Sequence, residues 1–426
     1  MHKIAFILTI SFFANGLLYA RQKTLHFVGE LYTRNILEAK YAGSFSKGDT
    51  VSWEWYVTGS ANESGDLLQG IHTHQLVLLS SYAGKFIRCI MTIKNVNGKV
   101  VKLSAITDQP VKDMDNPHTG WFKDAGLGLM LHFLKDVYAT QGNSRDWNNI
   151  VDGFDTEKFA TDCKAAGVGY VLFALGQNSG YYCSPNKAYD SIVGVAPGEL
   201  CSLRDLPADL SASLRKRGIR LMFYLPGNPP INNQLATDKF RYTFGKDSPT
   251  SQYTQVCWEA VIREWSLRYG KSLSGWWFDG MYSGGIIETR SDMSLPHNIS
   301  THTLAAKAGN HESIITYNYG VQKIKSNSSY DDYSAGEKQD LDEVPADRWV
   351  APGVQWFFFT YLGKWWGQEG QRFDTNVLTD WVQKVLKGEG VVCFDIHADA
   401  TGRISPNHIA QLKAVRHVLD DMRKSK

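Results

Sequence analysis

Cysteine is scarce in this 426-residue sequence: six residues, with no Cys-x-x-Cys pair and no cysteine–histidine cluster at zinc-ligand spacing. That excludes a disulfide framework and gives no reason to expect a metal. Cys183 and Cys201 bracket one loop and are placed to pair; Cys89, Cys163, Cys257 and Cys393 read as small buried hydrophobes. A charge excess is missing too, with 45 Lys+Arg against 43 Asp+Glu. Residues 21–116 carry 11 basic and 9 acidic side chains and residues 117–426 carry 33 and 34, so neither part is suited to neutralising phosphates and no nucleic acid partner is expected. Beyond the first twenty residues no apolar run could span a bilayer; Trp356–Leu362 is only a strand's length. A composition of 43% apolar and 21% charged residues argues against disorder. What the sequence does have is aromatic side chains: 13 Trp, 20 Tyr and 20 Phe. Flat rings fill cores and also cover the apolar faces of sugars.

Residues 1–20 have the form of a secretory signal: a basic start at Lys3, an apolar run from Ile4 to Leu18 interrupted by Asn15 and Gly16, and Ala20 before Arg21. An exported, periplasmic or extracellular protein is expected. Residues 21–115 read as β. Thr50–Val57 and Lys85–Ile93 alternate with period two, and turn signals such as Lys47-Gly48-Asp49 and Asn97-Gly98-Lys99 fall between the runs. Short strands at this spacing predict a small antiparallel sandwich, immunoglobulin-like in setting Trp55 near Cys89. This part is expected to pack on its neighbour as a spacer; a sugar-binding module is the alternative. Asp113–Pro117 reads as a linker.

From residue 116 to 426 the pattern changes. Continuous apolar runs (Leu127–Leu134, Tyr170–Leu175, Ile219–Leu225, Leu273–Phe278, Ile314–Tyr317, Trp356–Leu362, Val391–Phe394) alternate with amphipathic helices. Asp155 and Gly167 bound one helix, Pro207 opens another, and a long one carries Tyr253, Cys257, Val261 and Leu267 at helical spacing. This is the grammar of parallel β/α units. Seven such strands in some 300 residues predict an α/β fold, a (β/α)8-like TIM barrel. No glycine-rich phosphate loop follows the first strand, which weighs against a dinucleotide cofactor.

In a barrel the working residues lie at the C-terminal strand ends. These ends supply His132; Gln177 and Asn178; Tyr224; Asp279; Asn318; and Asp395 with His397. Asp279 closes the run Trp276-Trp277-Phe278-Asp279-Gly280, where a carboxylate needs donors or a substrate, or else caps the turn made by Gly280. Glycoside hydrolysis needs two carboxyl groups. Glu288, Glu312, Asp331, Asp332 and Glu337 all follow Asp279, and spacing does not choose among them.

The order of these pieces resembles the α-L-fucosidases of glycoside hydrolase family 29. Trp121-Phe122-Lys123-Asp124-Ala125-Gly126-Leu127-Gly128-Leu129-Met130-Leu131-His132 resembles that family's opening strand, Trp276–Gly280 its nucleophile strand, and Val391–Gln411 its final strand, turn and helix. Tyr330-Asp331-Asp332-Tyr333-Ser334-Ala335-Gly336-Glu337 resembles the segment whose last Glu is the acid/base, and Trp366-Gly367 an aromatic–Gly pair that covers the sugar's methyl. The resemblance implies an enzyme, a retaining exo-glycosidase acting on a glycan without metal or cofactor. Asp279 would be the nucleophile and Glu337 the acid/base; His132, Gln177, Asn178, Tyr224, Asn318 and Trp366 would contact the sugar. The sequence also departs from the family. Gly176-Gln177-Asn178-Ser179-Gly180 stands where Lys-His-His-Asp-Gly is usual, and Tyr319 where an Arg follows the Asn. Another sugar, such as an L-galactoside, or a non-catalytic glycan-binding protein are the alternatives.

Overall fold

The structure is a computed structural model that describes residues 24–139, 146–242, 251–281, 292–321 and 324–424; residues 1–20 and Glu288 lie outside them. The N-terminal part forms two antiparallel sheets. One has the order β1 (Leu25–Val28), β2 (Ile36–Tyr41), β5 (Gln75–Val77). The other runs β4 (Asp66–Leu67), β3 (Thr50–Thr58), β6 (Phe86–Lys94), β7 (Val100–Ile106). The period-two alternation places Trp55 opposite Cys89 across β3 and β6. Trp55 is fully buried, stacks on Phe27 of the other sheet at 5.7 Å, and donates its indole N–H to Thr73 O.

The rest of the chain builds one curled parallel sheet of seven strands. Its order is β12 (Ile314–Tyr317), β11 (Leu273–Asp279), β10 (Arg220–Pro226), β9 (Tyr170–Ala174), β8 (Leu127–Leu131), β16 (Val391–Ile396) and β15 (Phe357–Tyr361). A short antiparallel pair, β13 (Trp349–Ala351) and β14 (Val354–Gln355), precedes β15. Between β15 and β12 run residues 331–338, which have no regular strand geometry yet bond to both edges. Asp332 N donates to Ile315 O, Ser334 N to Gln355 O, and Lys338 N to Phe359 O. An irregular segment thus stands where an eighth strand is expected.

Each strand has two buried faces, which is why the runs read as continuously apolar. Outward residues such as Phe173, Phe223, Trp276, Phe278 and Phe394 meet the surrounding helices. Inward residues, among them Met130, Tyr170, Met222, Trp277, Phe357 and Cys393, fill the barrel. Gly128 is required there: a Cβ would stand 2.2 Å from the Tyr170 ring, which passes over β8 so that its hydroxyl donates to Val392 O of β16. The helix caps follow the sequence, with Asp155 accepting from Lys158 N and Gly167 closing that helix at φ +77°. The long helix Gln252–Tyr269 differs in one respect. Its buried face is Trp258, Val261, Ile262 and Trp265, while Tyr253 and Leu267 of the expected stripe are exposed. The large indoles draw the buried face to their own side.

All six cysteines are free and buried, so Cys183 and Cys201 do not pair. Asp113–Pro117 is no loose tether. Asn116 is buried and donates to Asp332 Oδ1 at 2.9 Å and to Gly353 O at 3.0 Å. Arg34, in a left-handed backbone (φ 72°), locks the two parts together. Its guanidinium is buried and donates to the carbonyls of Ser329, Asp331 and Pro352 at 2.8–3.0 Å. Arg34→Ala leaves those carbonyls unpaired and is expected to cost about 2–4 kcal/mol of unfolding free energy, read from urea denaturation; a loss below about 0.5 kcal/mol, the ordinary scale for surface sites, contradicts the clamp.

Candidate active site

At the C-terminal ends of the strands lies an open hollow of about 330 Å³, lined by His132, Leu134, Val137, Gln177, Tyr224, Trp277, Asp279, Glu337, Phe359, Trp365 and Trp366. The parity of the strands decides which side chains reach it. On β11 the inward positions include Trp277 and Asp279, on β10 Met222 and Tyr224, and on β16 Cys393 and Asp395. Tyr224 stacks on Trp277 with ring centres 5.4 Å apart, so an aromatic floor carries the polar groups.

Asp279 ends β11 half-buried. Its Oδ2 accepts from the Tyr224 hydroxyl at 2.5 Å; its Oδ1 accepts from Gly280 N at 2.7 Å and Asn318 Nδ2 at 3.0 Å. The turn-capping role and the pocket-facing role thus coexist. Tyr224 in turn accepts from Gln177 Nε2 at 2.6 Å. Gln177 and Tyr224, expected to contact sugar hydroxyls directly, line the hollow but spend these bonds holding Asp279.

Asn318 follows β12 and is buried. The same Nδ2 that reaches Asp279 donates to Glu337 Oε2 at 2.5 Å. Two bonds of 3.0 and 2.5 Å to one nitrogen limit the separation of those carboxylate oxygens to at most 5.5 Å. Glu337 stands on the irregular segment between β12 and β15. Burial, then the Asp279 charge, push its pKa up to about 7, against the opposing pull of Asn318 and His132. Near neutrality Glu337 can therefore hold a proton.

His132 follows β8 and its Nδ1 meets Asp395 Oδ1 at 2.8 Å. Burial disfavours the imidazolium, but Asp395, with help from Asp279 and Glu337, raises its pKa above the ordinary value. Asp395 also accepts from Gly367 N. Trp366 packs against His132, Phe359 and Tyr361, with ring centres 5.8, 4.8 and 4.9 Å away, and forms a fixed wall.

Of the expected site residues the structure brings together Asp279, Glu337, His132, Gln177, Tyr224, Asn318 and Trp366. Asn178 does not join the lining; its carbonyl accepts from Asn232 N, because the loop after β9 turns away at Gln177. The other carboxyl candidates among the described residues have structural duties or lie apart. Asp332 forms a buried pair with Lys307 at 2.7 Å, Asp331 accepts from the backbone N–H of Tyr317, Asn327 and Ser328, and Glu312 is exposed before β12. Sequence reasoning set Asp395 beside His397. The inward parity it shares with Cys393 directs it to His132 instead, and His397 Nδ1 bonds Gly367 O. Trp277, Phe359, Leu134 and Val137 also line the hollow without having been singled out in the sequence, and the same parity identifies the first two. No cluster of His, Cys, Asp or Glu among the described residues could hold a metal ion.

A family model for the α-L-fucosidases matches residues 147–421. The chain belongs to that family, glycoside hydrolase family 29. No curated protein matches it. Among solved structures, an endo-fucoidan hydrolase of glycoside hydrolase family 107 aligns with a TM-score of 0.57 at 16% identity, covering 72% of this chain and 65% of that one. Another hydrolase of that kind gives 0.53 at 13%, covering 70% and 92%. An α-L-fucosidase of family 29 from Bacteroides thetaiotaomicron gives 0.50 at 14%, covering 72% and 74%. These likenesses show a common α/β barrel-type fold. The chain spans just under two thirds of the first of them.

The Asp395–His132 pair yields a direct test. Asp395→Asn removes the main group opposing the burial penalty, so the His132 pKa is expected to fall. Imidazole ¹⁵N shifts followed through a pH titration report it; an unchanged His132 titration would show that Asp395 does not hold the charge.

Proposed function

We propose that this family 29 member is an exported, retaining exo-glycosidase that removes a terminal L-fucose-like residue from a glycan. The observation that carries the reading is the Asn318 amide bonded to two carboxyl groups in one hollow, one of them with its pKa near 7. Retaining glycosidases hold their carboxyls about 5–5.5 Å apart and inverting ones about 6.5–9.5 Å. The limit of 5.5 Å set by the shared amide supports the retaining arrangement. The signal-like residues 1–20 support export, and Trp55 facing Cys89 in the buried layer supports an immunoglobulin-like reading of the N-terminal sheets.

In the first step an Asp279 oxygen forms a bond to the anomeric carbon as the glycosidic C–O bond breaks and Glu337 passes its proton to the departing oxygen. Tyr224, Asn318 and Gly280 N–H hold the Asp279 carboxylate aimed at the hollow. In the second step Glu337, now ionised, takes a proton from water, whose oxygen displaces Asp279 and frees the sugar. His132, whose imidazolium Asp395 favours, is placed to hydrogen-bond a sugar hydroxyl, and the Trp366 face to cover an apolar edge such as the 6-methyl of a deoxy-sugar. Gln177 is turned onto Tyr224, so hydroxyl recognition on that side differs from the family's usual histidine pair; this favours a second reading with an L-galactoside in place of the L-fucoside.

Aryl α-L-fucosides and α-L-galactosides test both sugars. Turnover by the wild type is expected to fall as pH rises through about 7, as Glu337 loses its proton. Asp279→Gly is expected to lose at least about 10³-fold in kcat and, with azide, to give the β-glycosyl azide. Glu337→Ala with azide should give the α-glycosyl azide. The same anomer from both variants, or undiminished activity in either, refutes the assignment.

A further inference from the structure

We propose that Trp365 forms a platform for the sugar unit on the leaving side of the scissile bond, making the enzyme selective for a fucosyl-saccharide over a substrate with a small leaving group. The inference rests on the glycosidase reading of the same hollow.

Trp365 and Trp366 are adjacent in sequence but differ in environment. Trp366 is enclosed by three rings in the wall of the hollow. Trp365 contacts the Tyr361 ring at 5.2 Å, also lines the hollow, and leaves 48% of its surface exposed. Indole is the largest apolar side chain, and leaving half of it in water forgoes the burial that would stabilise the fold.

The loop that carries it is fixed. Lys364 N donates to Glu369 O at 3.2 Å, Gln368 N to Trp365 O at 3.1 Å, and Arg372 N to Leu362 O at 2.7 Å. Gly367 N is bonded to Asp395, and a Cβ on Gly363 would stand 1.8 Å from Gln368 O. The Arg372 guanidinium lies 4.1 Å from the centre of the Tyr361 ring on which Trp365 leans. The backbone of Trp365 is therefore fixed at the rim and its ring leans on Tyr361, which lessens the side-chain entropy a ligand must remove.

Its position assigns the ligand. Asp279, Glu337 and His132 surround the reacting sugar with Trp366 as wall, so the remainder of the glycan must leave through the mouth, past Trp365. The C–H face of a pyranose is a match for an exposed indole face.

The test compares α-L-fucosyl fluoride, whose leaving group has no ring, with a panel of α-L-fucosyl disaccharides. Trp365→Ala is expected to lower kcat/KM for the preferred disaccharide about tenfold or more, mainly through KM, and to leave the fluoride within about twofold; Trp365→Phe should restore most of the loss. Equal losses on both substrates would make Trp365 a wall of the inner pocket, and no loss on disaccharides would leave it without this role; either result overturns the inference. If the wild type cleaves neither substrate, the glycosidase reading fails separately. Calorimetric binding of the disaccharides then decides, and equal affinity for wild type and Trp365→Ala overturns the platform as well.

Discussion

Two carboxyl groups sharing one amide nitrogen are a Coulombic problem, and the rest of this site follows from how it is relieved. At this range both cannot remain ionised in a partly desolvated hollow without cost. The surroundings resolve the competition asymmetrically. Asp279 receives a tyrosine hydroxyl, a backbone N–H and the Asn318 amide. Glu337 has the shared amide alone among these, and burial with the Asp279 charge pushes it toward the protonated form. Environment thus sets apart two chemically similar side chains, the proposed nucleophile and the proposed proton donor.

Geometry this tight requires support from outside the hollow. Glu337 is carried by an irregular segment in the place of an eighth strand, tied to β12 and β15 by backbone bonds and to the N-terminal part through Arg34 and Asn116. The N-terminal part is therefore physically continuous with the scaffold of the proposed acid. A segment without a full ladder can place a side chain at a height and angle that regular pleating would not permit, and the Arg34 clamp offsets part of the missing hydrogen bonding.

Much of this was legible in the sequence, for identifiable reasons. Strands buried on both faces read as unbroken apolar runs, and their seven positions follow closely; the caps at Asp155 and Pro207 are local chemistry and were found locally. Asp279 was exposed to sequence reasoning by an aromatic strand ending in a carboxylate. The choice of Glu337 over Asp331 and Asp332 was not, because three carboxylates within seven residues differ only in what the fold packs around them. Asp332 finds Lys307, Asp331 finds backbone N–H groups, and Glu337 alone of the three lines the hollow. Family resemblance pointed to it; spacing did not. The partner of Asp395 and the turning of Gln177 onto Tyr224 depend on contacts between strands far apart in sequence, which no local pattern encodes.

The central claim is that Asp279 and Glu337 are electrostatically coupled within one hollow. Glutamate labelled with ¹³C at the side-chain carboxyl, titrated by NMR in the wild type and in Asp279→Asn, tests it most directly. The Glu337 carboxyl is expected to titrate near 7 in the wild type and clearly lower once the neighbouring charge is removed. A Glu337 carboxyl that titrates in the ordinary glutamate range, or that is unmoved by Asp279→Asn, would contradict the account.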